Sequence, residues 1–261
     1  MTPARAGAAL GMLVAAGAIY GLAATSAFGY SPAALRIEGA AITPAAVIRE
    51  RLGLVPGQNI FQIASAPLEA ALLEIPAIAS VDISVGLPDT VVVDIEERRP
   101  ILVWQAGERA FLVDGTGLLF AERADPAPAA VAGLPVVTDE RAGSRSLGVA
   151  DTVDALDLDA ASRLGSLTPS QLGSAAGGIR VGLTDENGFV VRSVPAGWTA
   201  VFGKYVHGLR PPELIPGQVL ALTELFAEVG ESHVETAILA DDRKGTYIPR
   251  ATPKPSATPK P

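Results

Sequence analysis

Between Leu35 and Glu97 the hydrophobic pattern passes from alternation to helical spacing and back to alternation, an order that few sheet folds accommodate. Leu35 and Ile37 interleave with Arg36 and Glu38 before Gly39 breaks the run, as in a short half-buried strand. Thr43 suits an N-cap with Pro44 at the first helical position; Ile48 and Leu52 lie one turn apart, and Gly53 suits the stop. After a turn at Pro56–Gly57, Ser65 is placed to cap a second helix, in which Leu68, Leu72 and Ile75 recur at i, i+4 and i+7 until Pro76. Val81, Ile83 and Val85 then alternate with Ser80, Asp82 and Ser84, and Val91, Val93 and Ile95 with Val92, Asp94 and Glu96, around a turn at Gly86 to Thr90. Each helix has one apolar stripe and the sheet one apolar face, so the expected unit is βααββ with both helices on the same face.

A second region follows Glu97-Arg98-Arg99-Pro100. Ala110 to Val113 and Leu118 to Ala121 flank the turn Asp114-Gly115-Thr116-Gly117. Asp151 to Leu167 reads as a helix, with Val153, Leu156, Ala160 and Leu164 on one side. Strands are expected at Ile179 to Leu183, Phe189 to Val194 and from Trp198 to Phe202. A helix at Gln218 to Val229 places Val219, Leu222, Phe226 and Val229 on one stripe before Gly230, and two last strands are expected at Val234 to Ala240 and Thr246 to Pro249. Thr252-Pro253-Lys254-Pro255 recurs as Thr258-Pro259-Lys260-Pro261, so residues 251–261 are expected to be an extended, disordered proline-rich tail.

Ahead of both regions, Ala6 to Phe28 is a run of 23 residues with no charge, long enough at about 1.5 Å per residue to span a hydrocarbon core of roughly 30 Å. It is read as one transmembrane helix over residues 6–28, after a short cytoplasmic N-terminus at residues 1–5. Arg5 and the terminal amine favour the inside for that end, which places the rest of the chain outside the cytoplasm. A cleaved signal peptide is the competing reading, because Ala24, Thr25, Ser26 and Ala27 are small. Gly7 and Gly11, and again Gly17 and Gly21, stand four apart as at helix–helix interfaces, a spacing that an alanine-rich helix also produces by chance.

Composition excludes several classes of function. With no cysteine, neither disulfides nor thiolate chemistry is available, and a formal net charge of -8 gives phosphate no basic face to bind, so no nucleic-acid partner is expected. Only His207 and His233 are present, and no HExxH, GxSxG, GxGxxG or P-loop occurs. Asp151, Asp154, Asp157 and Asp159 form the densest acidic group but lack the glycine and terminal glutamate of an EF-hand, and read as a solvated face at a helix start. Asp94, Glu96 and Glu97 lie along the exposed side and end of a strand rather than around a cleft. No catalytic, metal or cofactor-binding residue is expected, nor a small-molecule substrate; the chain is not read as an enzyme.

Five phrases in order, Arg36-Ile37-Glu38-Gly39, Gly57-Gln58-Asn59-Ile60, Leu72 to Pro76 followed by Val81, Leu87-Pro88-Asp89-Thr90, and Glu97-Arg98-Arg99-Pro100, make the chain resemble the FtsQ/DivIB family of bacterial division proteins. Leu134-Pro135-Val136-Val137 and Gly197-Trp198 resemble its second domain, whereas the family's isoleucine-aspartate-leucine-arginine run is not intact around Ile238-Leu239. The resemblance implies an α+β fold: one transmembrane helix, a POTRA domain (βααββ) over residues 33–100, then a second mixed α/β domain with a mainly antiparallel sheet, the FtsQ-type β domain, over 101–250. It also implies a non-catalytic divisome scaffold at the division septum of the cell membrane, bound to FtsB/FtsL-type coiled-coil proteins and other divisome components, which helps recruit or regulate septal peptidoglycan synthesis. Thr246, Tyr247 and Ile248 are the expected partner-binding residues, because an edge strand accepts another chain by β-augmentation; closure of the core is the other reading of Tyr247 and Ile248. A POTRA-bearing secretion or outer-membrane assembly factor is the alternative, and it calls for repeated modules or a following barrel.

Overall fold

A computed structural model describes residues 3–23, 28–241 and 245–251. The proline-rich repeat from Thr252, the small residues 24–27 and most of the turn before β12 lie outside the described residues. The chain divides into two compact units, Met1–Arg98 and Arg99–Pro261.

In the first unit, helix α1 spans Pro3–Ala23. The expectation of one transmembrane helix over residues 6–28 is corrected here: among the described residues no helix is long and apolar enough to cross a membrane. Eight of the 21 residues of α1 are alanine and four are glycine, side chains that bury little apolar area per turn, and its described run stops at Ala23.

The sheet of this unit has the order β1-β3-β2, with β1 at Leu35–Glu38, β2 at Ile78–Gly86 and β3 at Thr90–Glu97. Strand β1 runs parallel to β3 from Leu35↔Val91 to Glu38↔Asp94, while β2 is antiparallel to it. Alternation in β3 sends Val91, Val93 and Ile95 inward, where they meet Ile48 and Leu52 of α2 (Ala45–Leu52) and Leu72 of α3 (Ser65–Leu73). Thr43 does not cap α2. Pro44 holds the cap position with extended backbone, and the N–H groups of Ala41, Ile42 and Thr43 instead donate to the Glu97 carboxylate at 2.8, 2.7 and 2.6 Å. One end of β3 thus fixes the loop that leads into α2. Gly39 permits that close approach: its φ is +82°, and a Cβ there would lie 1.9 Å from the Ile95 carbonyl oxygen.

The second unit is built on a nine-stranded mixed sheet, ordered β12-β11-β10-β9-β8-β7-β4-β5-β6. Its strands are β4 (Leu102–Ala106), β5 (Arg109–Val113), β6 (Leu119–Glu122), β7 (Val136–Asp139), β8 (Gly178–Thr184), β9 (Gly188–Val194), β10 (Thr199–Gly203), β11 (Val234–Ile238) and β12 (Thr246–Pro249). The pairs β4–β7, β7–β8 and β10–β11 are parallel and the other joins antiparallel. Parallel neighbours need a crossover, and helices α4 (Ala155–Gly165) and α5 (Ile215–Val229) supply it between β7 and β8 and between β10 and β11. Both pack into one core with Trp104, Phe111, Phe189 and Phe202 from the sheet and with Trp198, which precedes β10. Alternation decides which residues take part: Val181 and Leu183 of β8 enter this core, so Arg180 and Gly182 occupy the other face.

Candidate functional site

Strand β12 is the outermost strand of the nine, with β11 on one side and no strand on the other among the described residues. Its register pairs Thr246 with Ile238, Tyr247 with Ala237, Ile248 with Thr236 and Pro249 with Val234, across a bulge between Val234 and Thr236. Opposed residues share a face, so Tyr247 lies on the face of Ala237, a core residue, while Thr246 and Ile248 share the opposite face with Ile238. Tyr247 is 40% and Ile248 50% exposed, and Ile238 is 39% exposed beside them. An outer strand offers main-chain donors and acceptors to an incoming chain, and these side chains supply apolar contact on both of its faces.

Polar groups that the sequence pattern did not single out hold this edge in place. Arg250 donates its main-chain N–H to the His233 carbonyl at 2.8 Å, and its guanidinium bonds the carbonyls of Val234, at 3.1 Å, and Gly197. The indole of buried Trp198 donates to Glu231 at 2.7 Å, and Glu231 also accepts from the Ser174 hydroxyl at 2.7 Å and the Ala175 N–H at 2.8 Å. Burial pushes the Glu231 carboxyl upward, but the Ser174, Ala175 and Trp198 donors outweigh it and hold the group below its ordinary range. At the other end of β11, the fully buried Gln218 amide bonds the Phe202 and Leu239 carbonyls at 3.0 and 2.7 Å, tying β10 to the residue after β11. Tyr205 donates its hydroxyl to Gln218 at 2.8 Å; burial raises that phenol, against the opposing charge of Arg210. One signal in the sequence pointed to Gln218, a polar side chain set among the apolar residues of α5.

Elsewhere the carboxylates are engaged in holding the fold. Asp154 caps α4 by accepting from the Leu156 and Asp157 N–H groups, Asp159 pairs with Arg163, and Asp151 accepts from the Gly148 N–H. Asp157 meets Arg141 at 2.8 Å, and Arg141 meets Asp139 at 2.7 Å; Asp139 also accepts from the Trp104 indole at 3.2 Å. Desolvation raises the Asp157 carboxyl while Arg141 opposes it, and the Arg141 guanidinium is held still more firmly charged by its bond to Asp139. The expected acidic helix face is therefore split among separate roles. Among the described residues no group of three His, Asp or Glu side chains is arranged to hold a metal ion. Glu96 bonds the Ser80 hydroxyl and Glu97 the loop before α2, while His207 lies in the turn after β10 and His233 ends a short 3-10 helix before β11.

Comparison with known proteins bears on the first unit. Residues 31–98 match the family described as POTRA domain, FtsQ-type. A cell division protein FtsQ from Corynebacterium glutamicum is 26% identical over 83 residues, which cover 32% of this chain and 37% of that protein. Over residues 31–98 the chain is similar to FtsQ-type POTRA domains. The relative is by its name a cell division protein, and the β1-β3-β2 sheet with α2 and α3 is the part of this chain that carries the family match. The alignment spans little more than a third of the relative's length, so the family's properties reach the second unit only by inference.

Proposed function

We propose that the chain is a non-catalytic divisome scaffold at the division septum, built from a POTRA domain over residues 33–100 and an FtsQ-type β domain over 101–250, which helps recruit or regulate septal peptidoglycan synthesis. The observation that carries this reading is the FtsQ-type POTRA match over residues 31–98. In this proposal Thr246, Tyr247 and Ile248 receive a strand from an FtsB/FtsL-type coiled-coil partner, and other divisome proteins bind elsewhere on the chain. Support comes from the outer position of β12 and the exposure of Tyr247 and Ile248. Main-chain pairing of that kind supplies affinity without a pocket, and apolar side chains on alternate faces supply selectivity.

The test measures binding of the purified FtsB/FtsL pair to the full chain and to Tyr247→Ala and Ile248→Asp, each first shown to keep the wild-type unfolding midpoint. Because both side chains are exposed, the fold is expected to tolerate the changes to within about 0.5 kcal/mol. A drop in affinity of about tenfold or more, corresponding to about 1.4 kcal/mol, is the expected result. Unchanged binding by both folded variants would remove β12 from the account.

A further inference from the structure

A cleft of about 800 Å³ opens within the nine-stranded sheet, where β7 and β8 come apart. These strands pair only over Val137↔Val181, Thr138↔Gly182 and Asp139↔Leu183. Strand β8 begins earlier, at Gly178, and its first residues pair with β9 alone, as Gly178↔Val194, Ile179↔Ser193 and Arg180↔Arg192. The Leu183 carbonyl accepts the Glu140 N–H on the β7 side. Main-chain direction alternates along a strand, so Val181 and Ile179 turn their polar groups to that side as well. Val181 still has β7 opposite it, but the ladder gives Ile179 no partner there. Its N–H and C=O therefore face the cleft, whose opposite wall contains Pro135 and Val136.

Charge at this fork is unbalanced. Arg180 and Arg192 are directly opposed on the face away from the helices, and like charges so placed repel. Arg192 is neutralised by Glu140, which takes two bonds from it at 2.6 and 3.2 Å. Arg180 is exposed and makes no hydrogen bond or ion pair among the described residues. An uncompensated guanidinium thus lines a cleft in a chain whose formal net charge is -8. Pro135 and Leu167 give the same cleft apolar walls.

We propose that this fork binds a short acidic peptide segment of a partner protein, with a carboxylate on Arg180 and the peptide main chain against Ile179. Guanidinium matches carboxylate in a paired, charge-assisted geometry, and an interrupted ladder matches a peptide backbone. A small anion would use the charge and leave the open main chain and apolar walls unfilled. The volume falls within the roughly 300–1,000 Å³ of ligand clefts and suits a few residues. This site stands apart from β12 and does not depend on the role proposed for it.

The test titrates the full chain with the blocked pentapeptide acetyl-Val-Glu-Val-Glu-Val-amide and with its glutamine counterpart, following backbone amide resonances. Saturable shifts are expected at Val136, Ile179 and Arg180, with the glutamine peptide about tenfold weaker, as loss of one charge-assisted contact implies. Arg180→Ala and Arg180→Gln are each expected to weaken the glutamate peptide about tenfold while leaving the rest of the spectrum in place. The proposal fails if the fork amides do not respond, if the two peptides bind alike, or if both variants bind as tightly as the wild type. It also fails if sodium acetate gives the same saturable shifts, which would mark a simple anion site, or if the shifts follow chain concentration without peptide, which would assign the fork to a second copy.

Discussion

Replacing Glu97 tests how the end of β3 holds the entry to α2. Its carboxylate accepts three main-chain N–H groups, from Ala41 at 2.8 Å, Ile42 at 2.7 Å and Thr43 at 2.6 Å, and the last two are partly buried. A hydrogen bond to a charged group contributes about 1.5–3 kcal/mol when well sheltered. The Ala41 bond is exposed and adds less. Glu97→Ala leaves the donors without an acceptor, so the expected loss is about 3 kcal/mol. Glu97→Gln keeps one carbonyl oxygen without the charge and is expected to lose about 1–2 kcal/mol. Native-state amide exchange is the suitable assay, because both tryptophans, Trp104 and Trp198, belong to the second unit and fluorescence would report on that unit. Protection of the Ile42 and Thr43 amides, and of core amides at Ile48 and Val93, is expected to fall about 150-fold in Glu97→Ala, from the tenfold per 1.4 kcal/mol relation. Amides in β8 and β9 serve as the internal control. Changes under threefold at Ile42 and Thr43 in both variants would refute the assigned role of this carboxylate.

Other perturbations follow from the same geometry. Gly39→Ala meets a positive φ and the Ile95 carbonyl at 1.9 Å, so it is expected to cost more than about 2 kcal/mol in the first unit, read by native-state amide exchange at Ile48 and Val93. Leu72→Ala opens a cavity at a side chain with 0% exposure and is expected to cost about 2–5 kcal/mol by the same readout. Glu231 has a carboxyl held below its ordinary value of 4.5, so its stabilising contribution is present above that value and is lost as pH falls through the lower, folded-state pKa. The acid limb of stability, measured by urea midpoints of Trp198 emission from pH 6 to pH 3, is expected to flatten in Glu231→Gln; an unaltered slope would show that this carboxylate is not coupled to folding.

The elements read most easily from the sequence have one face buried and one exposed. Strand β3 displays Val91, Val93 and Ile95 against exposed Asp94 and Glu96, and the two helices before it show matching stripes. Strand β4 went unseen although it lies inside the larger sheet. Leu102, Val103 and Trp104 are all 0% exposed, so burial on both faces erased the alternation by which a strand is recognised. The parallel register of β1 on β3 was equally hidden, because nothing local in Leu35 to Glu38 specifies a partner at Val91 to Asp94. Helix starts shifted where a cap acts through main-chain geometry. Pro44 occupies the position assigned to Thr43, and Asp154 caps α4 three residues after Asp151, the expected start of the helix.

The candidate site was legible in the same uneven way. Turn chemistry and alternation found Thr246 to Pro249, while its place at the outer end of nine strands depends on contacts remote in sequence. Arg250, Glu231 and Gln218 acquire their roles only when distant carbonyls and N–H groups converge on them. Absence of charge from Ala6 to Phe28 suggested a membrane span, but counting charges overweights a run diluted by alanine and glycine. The fork between β7 and β8 has no counterpart in any motif, because it is a place where a ladder stops.

Division itself supplies the most direct test of the account. A fluorescent fusion of the full chain, expressed in its own cell from its own promoter with the untagged copy depleted, reports where the protein acts and whether division depends on it. Concentration of the fusion at the septum, with division restored by the wild-type fusion and failing on full depletion, is the expected result. An even distribution over dividing cells, together with normal division on depletion, would contradict the scaffold role.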